Sequence, residues 1–460
     1  MKKMLWGGRF GKGPAGKTIE FNSRENVQLD EKLIPYDILG SIAHVKMLEK
    51  QGILGGGEAG EIVTALKAVY SRWERGEFRL KAELEDVHMN VEAAVTELTK
   101  NGKKMHTARS RNDQVLLDMR LYMRDEVLRA IGAIEALQAA FASLAKKDGP
   151  MASYTHTRVA QPITVSFWCQ AWIDGLSRDK ERLLDAYKRI NSNPLGACAI
   201  AGTPWKIDRA ETARMLAFGK VQENELDAIS SRGECEAEVL SALSLLMCRL
   251  SRLSEELIWL SQKGLLSISE EHTTGSSIMP NKKNPDILEL VRGRCARVYS
   301  NLTHCLVILK GLISGYHSDM QETKYAVMSG LEQSRESLEI LPGLVMGLGF
   351  DRRRIEEELD SGFAQATEIA DFLAMEGMPF REAHEKSGKL VKYCEERGTT
   401  LSKLPAGEAG KMLGIVIAKE KWAALVSLER ERLRRSAALK GPGAAAEAER
   451  IEKAYRKLLS

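Results

Sequence analysis

Residues 275–285 read GSSIMPNKKNP, with two serines, two lysines, two asparagines and two prolines in one short stretch, and no acidic residue before Asp286. A serine hydroxyl is a poor base in water. Held among fixed cations and amide donors, its alkoxide becomes accessible. A nucleophilic serine would call for an adjacent histidine and a G-x-S-x-G elbow, and this stretch has no such elbow. The lysines follow proline and asparagine rather than glycine, which argues against a phosphate-cradling loop. The chemistry left to Ser276 is removal of a proton α to a carboxylate. That produces a dianionic aci-carboxylate, which needs a fixed cation nearby, and Lys282 is suited to the task.

Two further polar blocks, MHTARSRNDQV (105–115) and SYTHTRVAQPI (153–163), also stand just before long helical patterns. Pro162 and Pro285 fall where a first helical residue belongs, which makes Asn284 an expected N-cap and Asn112 another. Helix N-termini carry partial positive charge and unpaired N–H groups. Arg109, Arg111, Lys282 and Lys283 add full charges there. Each block alone is equally explained as a well-built helix start. Together they point to an anionic substrate with more than one carboxylate. His156 lies in a polar turn, and its titration range makes it the best candidate acid. Glu289, soon after the serine loop, would orient His156 and raise its pKa. His88 and His106 read equally well as hydrogen-bonded structural histidines.

Positioning these blocks falls to long segments of helical periodicity at roughly 113–147, 163–190, 234–262, 286–314 and 326–349. A segment of about 35 residues is about 50 Å long, and such rods pack side by side as a bundle. The segment DILELVRGRCARVYSNLTHCLVILKGLISG is apolar or small around most of its circumference, so it must be covered on several sides. Five rods cover it poorly, which favours symmetric association of chains over a monomer shielded by its terminal domains. If successive rods run antiparallel, neighbouring polar blocks lie at opposite ends, and one site must then draw on several subunits. We expect three regions: a mixed N-terminal domain (1–107), a long-helix core (108–355) and a small helical C-terminal domain (356–460). Gly55, Gly57 and Gly60 match a dinucleotide fingerprint literally. No strand precedes them, so they read as a loop between helices.

The 460 residues are 44% hydrophobic and 28% charged, with a net charge of +4. The basic residues are scattered, so no nucleic-acid partner is expected. The start lacks the apolar region of a secretory signal, and no stretch approaches a membrane span. Seven cysteines without C-x-x-C pairs or zinc spacing suggest reduced, buried thiols in a cytoplasmic protein and no metal.

The serine loop resembles the G-S-S-x-M-P-x-K-x-N signature of the fumarase/aspartase superfamily. Within it, LWGGRF (5–10), LIPYDILGSIAHVKML (33–48), EDVHMNVE (85–92), ARSRNDQV (108–115), LGACAIAGTPWKIDR (195–209) and YHSDMQETK (316–324) resemble the argininosuccinate lyases in particular. The resemblance covers essentially the whole chain, in order. It implies an all-α fold, a homotetramer on a central twenty-helix bundle, sites formed by three subunits and no cofactor. The implied reaction cleaves argininosuccinate to L-arginine and fumarate. By matching positions, Ser276 is the general base at the substrate's Cβ, and Lys282 and Asn284 stabilise the aci-carboxylate. His156, paired with Glu289, is the proton donor or its relay. Arg111, Asn112, Thr155, Tyr316, Gln321 and Lys324 match substrate-binding positions. Asn26 replaces a usual serine in an N-terminal substrate contact, Ala108 a glycine, Asn281 a glutamine and Glu225 a frequent serine. Two alternatives compete: another fumarate-releasing lyase, such as one acting on adenylosuccinate, and a scaffold with lapsed catalysis. The mark of the latter would be loss of Ser276, His156 or Lys282, and all three are present.

Overall fold

In the computed structural model, residues 16–428 and 445–460 are described, so LWGGRF lies outside them. The N-terminal part holds α1 (Gly16–Asp30), α2 (Ile34–Lys50), α3 (Gly56–Glu74) and α4 (Val87–Leu98). The glycines read as a loop belong instead to the start of α3. Gly55 is its N-cap, and its N–H is met by the Glu58 carboxylate. The first helical turn has no i−4 bonds to lose, so glycine is tolerated there.

Five rods follow, joined by shorter elements. They are α5 (Arg111–Leu144), α6 (Val165–Ile190), α9 (Glu234–Gln262), α10 (Asp286–Leu309) and α11 (Glu322–Met346), with α7 (Arg209–Met215) and α8 (Glu225–Ser230) between α6 and α9. Side-chain pairs fix their directions. Gln138 of α5 donates to Ile173 and Ser177 of α6, while Arg124 reaches Asn191, so α5 and α6 are antiparallel. Arg189–Glu238 and Trp168–Glu256 make α6 and α9 antiparallel. Arg294–Glu336 and Arg297–Gln333 set α10 against α11. Arg335 lies 3.4 Å from Glu126 and Lys147 bonds the Met346 carbonyl, so α11 runs parallel to α5. Thus α5, α9 and α11 point one way and α6 and α10 the other. Their apolar faces form one continuous core with α2, α3 and α4. By length and composition α5 could cross a bilayer; here most of that window is buried inside the bundle.

The start of α9 shows why sequence and packing agree. Gly233 has φ +92°, and a Cβ there would sit 2.6 Å from Leu309 at the end of α10. Only glycine meets both demands.

Strands are few: β1 (Pro150–Thr155) pairs antiparallel with β2 (Arg158–Thr164), β3 (Ser192–Asn193) parallel with β4 (Lys220–Val221), and β5 (Leu266–Ser267) antiparallel with β6 (Gly349–Phe350). Pro162 therefore lies inside β2 rather than opening α6, which Thr164 caps through the Phe167 N–H at 3.1 Å. The C-terminal part holds α12 (Arg352–Ser361), α13 (Ala366–Met375), α14 (Phe380–Glu396), α15 (Ala406–Leu413) and α16 (Lys419–Leu425). Residues from Ile369 to Val426 build a hydrophobic core of their own. The helix α17 (Ala445–Leu459) instead returns to the main core through Ile451 and Leu458. There Tyr455 bonds the buried Arg124, and Arg450 bonds the Ala217 carbonyl.

Candidate active site

The polar blocks fall at two ends of the bundle. At the end where α6 and α10 begin, the serine loop projects. Its base is pinched where Thr274 and Asn284 exchange two backbone hydrogen bonds, of 3.1 and 2.7 Å. This commits the Asn284 backbone to a bridge, and Pro285 takes the capping position, so Asn284 is not the N-cap. The Asn284 amide instead donates to the Gly275 carbonyl at 3.3 Å. The Ser276 hydroxyl accepts from the Met279 N–H at 3.1 Å and the Ile278 N–H at 3.4 Å. Both donors favour the alkoxide over the alcohol. Lys283 pairs with Glu270 at 2.5 Å, while Lys282 has no ion pair among the described residues.

His156 occupies the tip of the β1–β2 hairpin at the same end. Thr155 pairs with Arg158, so His156 and Thr157 form a two-residue turn with φ +50° and +61°. Such a turn normally selects Asn-Gly. Left-handed backbone costs a non-glycine residue about 1–2 kcal/mol. The strands hold it in place: Tyr154 packs edge-on to Trp259 at 4.5 Å and its hydroxyl contacts Glu358. Glu289 faces solvent, with Arg292 as its ion partner at 3.9 Å, and does not meet His156 within the chain.

The opposite end, where α5, α9 and α11 begin, gathers the other set. Ser110 caps α5, with Asp113 returning the bond to the Ser110 N–H, so Asn112 is the second helical residue and not the cap. The freed Asn112 amide donates to the Ala199 carbonyl at 3.1 Å. Arg111 is 3.2 Å from both Glu85 and Asp86. Asp86 caps α4, and the next N–H, of Val87, donates to Asp30. Asp30 also binds the buried Lys324 at 2.7 Å. Gln321 donates to the Tyr316 hydroxyl at 2.8 Å and accepts from the buried Arg232 at 2.9 Å. Asn26 lies one turn before Asp30, its amide on the Asn22 carbonyl. One contiguous polar network thus joins Arg111, Asp30 and Lys324, with Asn112, Tyr316 and Gln321 beside it. Thr155 stands apart, on the His156 hairpin.

Asp30, Asp86, Asp113 and Arg232 were not singled out by sequence reasoning. The S-x-x-D spacing of Ser110 and Asp113 is a readable capping signal. The Asp86 cap of α4 is local as well, whereas its pairing with Arg111 and the contacts of Asp30 and Arg232 run across the fold. Between the two ends lie the 24 residues of α10, about 36 Å of helix. Among the described residues of one chain nothing closes that gap.

A separate buried cluster underlies α5. His88 Nδ1 is 2.5 Å from Asp37 and 3.5 Å from Asp118. The three ligand atoms lie within 4.8 Å of one another. Two ligands of one tetrahedral zinc stand about 3.3 Å apart, given bonds of about 2.0–2.1 Å. The closest contact is therefore a hydrogen bond, and the cluster reads as a charge network. Burial raises the Asp118 carboxyl well above the usual range, and the Asp37 charge adds to this. Burial opposes ionisation of Asp37 too, but His88, Arg109 and Gln114 outweigh it and its pKa is lowered. Burial and Arg109 push His44 and His106 down to about 3, so both are neutral. All seven cysteines are free; six are buried and Cys248 is exposed on α9.

The Lyase family profile matches residues 14–300, and a profile described as the C-terminal region of argininosuccinate lyase matches residues 363–430. The argininosuccinate lyase of Pelotomaculum thermopropionicum is 40% identical over 459 residues, covering 99% of this chain and 98% of that protein. The argininosuccinate lyase of Bacillus subtilis is 42% identical over 411 residues, covering 88% of each. Among solved structures, an EDDS lyase in complex with formate has a TM-score of 0.78 at 24% identity, over 97% of this chain and 91% of that one. A class II fumarase from Schistosoma mansoni has a TM-score of 0.74 at 17% identity, over 88% and 91%. These structural matches speak to the fold.

Proposed function

The chain belongs to the argininosuccinate lyase family, and from that premise we propose that it cleaves argininosuccinate reversibly to L-arginine and fumarate. Ser276, as alkoxide, removes the proton from the succinyl Cβ. The electron pair moves into the neighbouring carboxylate, and the aci-carboxylate is held by Lys282, Asn284 and the start of α10. The Cα–N bond then breaks, and His156, oriented by Glu289, returns a proton to the departing guanidino nitrogen directly or through a relay. Asn26, Arg111, Asn112, Thr155, Tyr316, Gln321 and Lys324 hold the remainder of the substrate.

The observation that carries this reading is the Ser276 hydroxyl receiving two backbone N–H groups, in a loop whose Lys282 has no ion pair among the described residues. A homotetramer completes the site by bringing the serine loop and hairpin of some subunits to the Arg111–Lys324 end of another. Exposed apolar side chains around α10 support this assembly. Leu290, Tyr299, Leu306 and Val307 are 41–60% exposed, on a rod that among the described residues packs mainly on α9 and α11. We place domain boundaries near 107 and 355; the separate C-terminal apolar core supports the second. The mostly buried free thiols are consistent with a cytoplasmic setting.

The test is fumarate release from argininosuccinate and from adenylosuccinate, assayed separately. Argininosuccinate is the expected substrate. A preference for adenylosuccinate replaces the substrate, and release from neither removes the lyase reading.

A further inference from the structure

Asp113 is fully buried, yet its carboxylate does more than a helix start requires. One oxygen accepts the Ser110 N–H at 3.0 Å, which completes the cap of α5. The other accepts the N–H groups of Gly196 and Cys198, each at 2.9 Å. Those two residues belong to a loop bent through left-handed backbone, with φ +95° at Gly196 and +52° at Cys198. The next residue, Ala199, offers the carbonyl that receives the Asn112 amide. On the same loop, Ala197 sits in a small apolar cluster with Ala228 and Ile229, against which Tyr316 packs. Other groups face the carboxylate. Arg109 lies on its own segment. From the loop side, Arg209 bonds the Leu195 carbonyl at 3.1 Å and is itself paired with Glu225. The Cys198 thiol contacts the Ala108 carbonyl.

We propose that Asp113 is a positioning residue for substrate binding: by holding the Gly196–Cys198 backbone in its bent form it fixes the Ala199 carbonyl, and through that carbonyl the direction of the Asn112 amide. Its side chain is buried and touches no substrate. This rests on the reading above, in which Asn112 contacts argininosuccinate.

The experiment compares Asp113→Asn, Asn112→Ala and the double variant in the full-length assembled enzyme. An asparagine at 113 cannot accept on both sides, because its NH2 must face either the Ser110 N–H or the loop N–H pair. KM is expected to rise at least about tenfold in Asp113→Asn, with kcat within about threefold. In the Asn112→Ala background the same substitution should change KM by less than about threefold, because the two act through one contact. Ser110→Ala weakens the cap without touching the loop and is expected to leave KM within about twofold. Where Asp113→Asn does not assemble, Asp113→Glu serves; it keeps the charge but displaces the loop and should also raise KM. Equal KM factors in both Asn112 backgrounds would overturn the proposal, as would a KM within twofold of wild type in the position-113 variants. An equal KM rise in Ser110→Ala would overturn it as well. Absence of fumarate release by the wild-type enzyme would overturn the functional reading, and this proposal with it.

Discussion

Because the two polar ends are separated by a whole rod, two inactive variants should restore each other when mixed. Ser276→Ala removes the base at one end, and Gln321→Leu disrupts the Tyr316–Gln321–Arg232 contacts at the other. The separation is about 36 Å along α10 and about 50 Å along the 34 residues of α5. If every site takes its serine loop from one subunit and its Gln321 from another, random reassembly at equal ratio leaves both intact in about 1/2 × 1/2, or one quarter, of the sites. Ser276→Ala alone should retain no more than about 1% of wild-type turnover, the scale of a lost acid–base group, and Gln321→Leu alone should fall well below the recovered level through lost substrate binding. The assay is to dissociate both variants, reassemble them together, confirm mixing with two distinguishable affinity tags, and measure fumarate release per chain. Recovery near 25% of wild type is expected. Mixed oligomers no more active than the sum of their parents would refute the reasoning, since sites confined to one chain always carry one defect.

Ser276→Ala should lower kcat at least about a hundredfold with the oligomer intact, as read by steady-state assay and gel filtration; a variant with half its activity removes serine from the mechanism. Thr157→Gly relieves a β-branched residue at φ +61°. After the entropy cost of glycine it should gain about 0.5–1 kcal/mol in stability and lose turnover as the His156 tip loosens. A raised apparent Tm with unchanged kcat would sever the hairpin from function. His44 donates through Nε2 to the Thr107 carbonyl, and its buried Nδ1 has no partner, so a second proton has nowhere to point. Its folded pKa of about 3 lies below the unfolded value of about 6.5. Between these values the unfolded chain binds more protons, so stability falls as pH drops from 6.5 toward 3. His44→Gln should flatten that fall by up to about 1.4 kcal/mol per pH unit. Parallel acid-unfolding curves for the two proteins would count against it.

What sequence alone could reveal follows the range of the forces. The α9 rod, expected over 234–262, runs Glu234–Gln262, because helical periodicity is a local signal. The hairpin before α6 escaped notice because its turn is His-Thr, without the Asn-Gly that announces such turns. Asn284 and Asn112 were expected as caps on residue type; a backbone bridge and a better cap two residues earlier displaced them. The serine loop and His156 were legible as chemistry because polar clusters before helices are conspicuous. The pairing at the other end was not: Asp30 meets Lys324 across 294 positions, and no local pattern joins them. The positioning work of Asp113 was hidden for the same reason, since the loop it holds lies more than eighty residues away.

The return of α17 to the N-terminal half has a consequence for synthesis. Arg124 and Tyr455 are separated by 331 positions. A ribosome adding about 5–20 residues per second needs on the order of 20–60 s between them. For that interval the Arg124 guanidinium has its Asn191, Leu216 and Ala217 partners but not Tyr455, and the surface that Ile451 and Leu458 will cover stays open. The first half of the chain therefore completes its packing only after α17 has emerged.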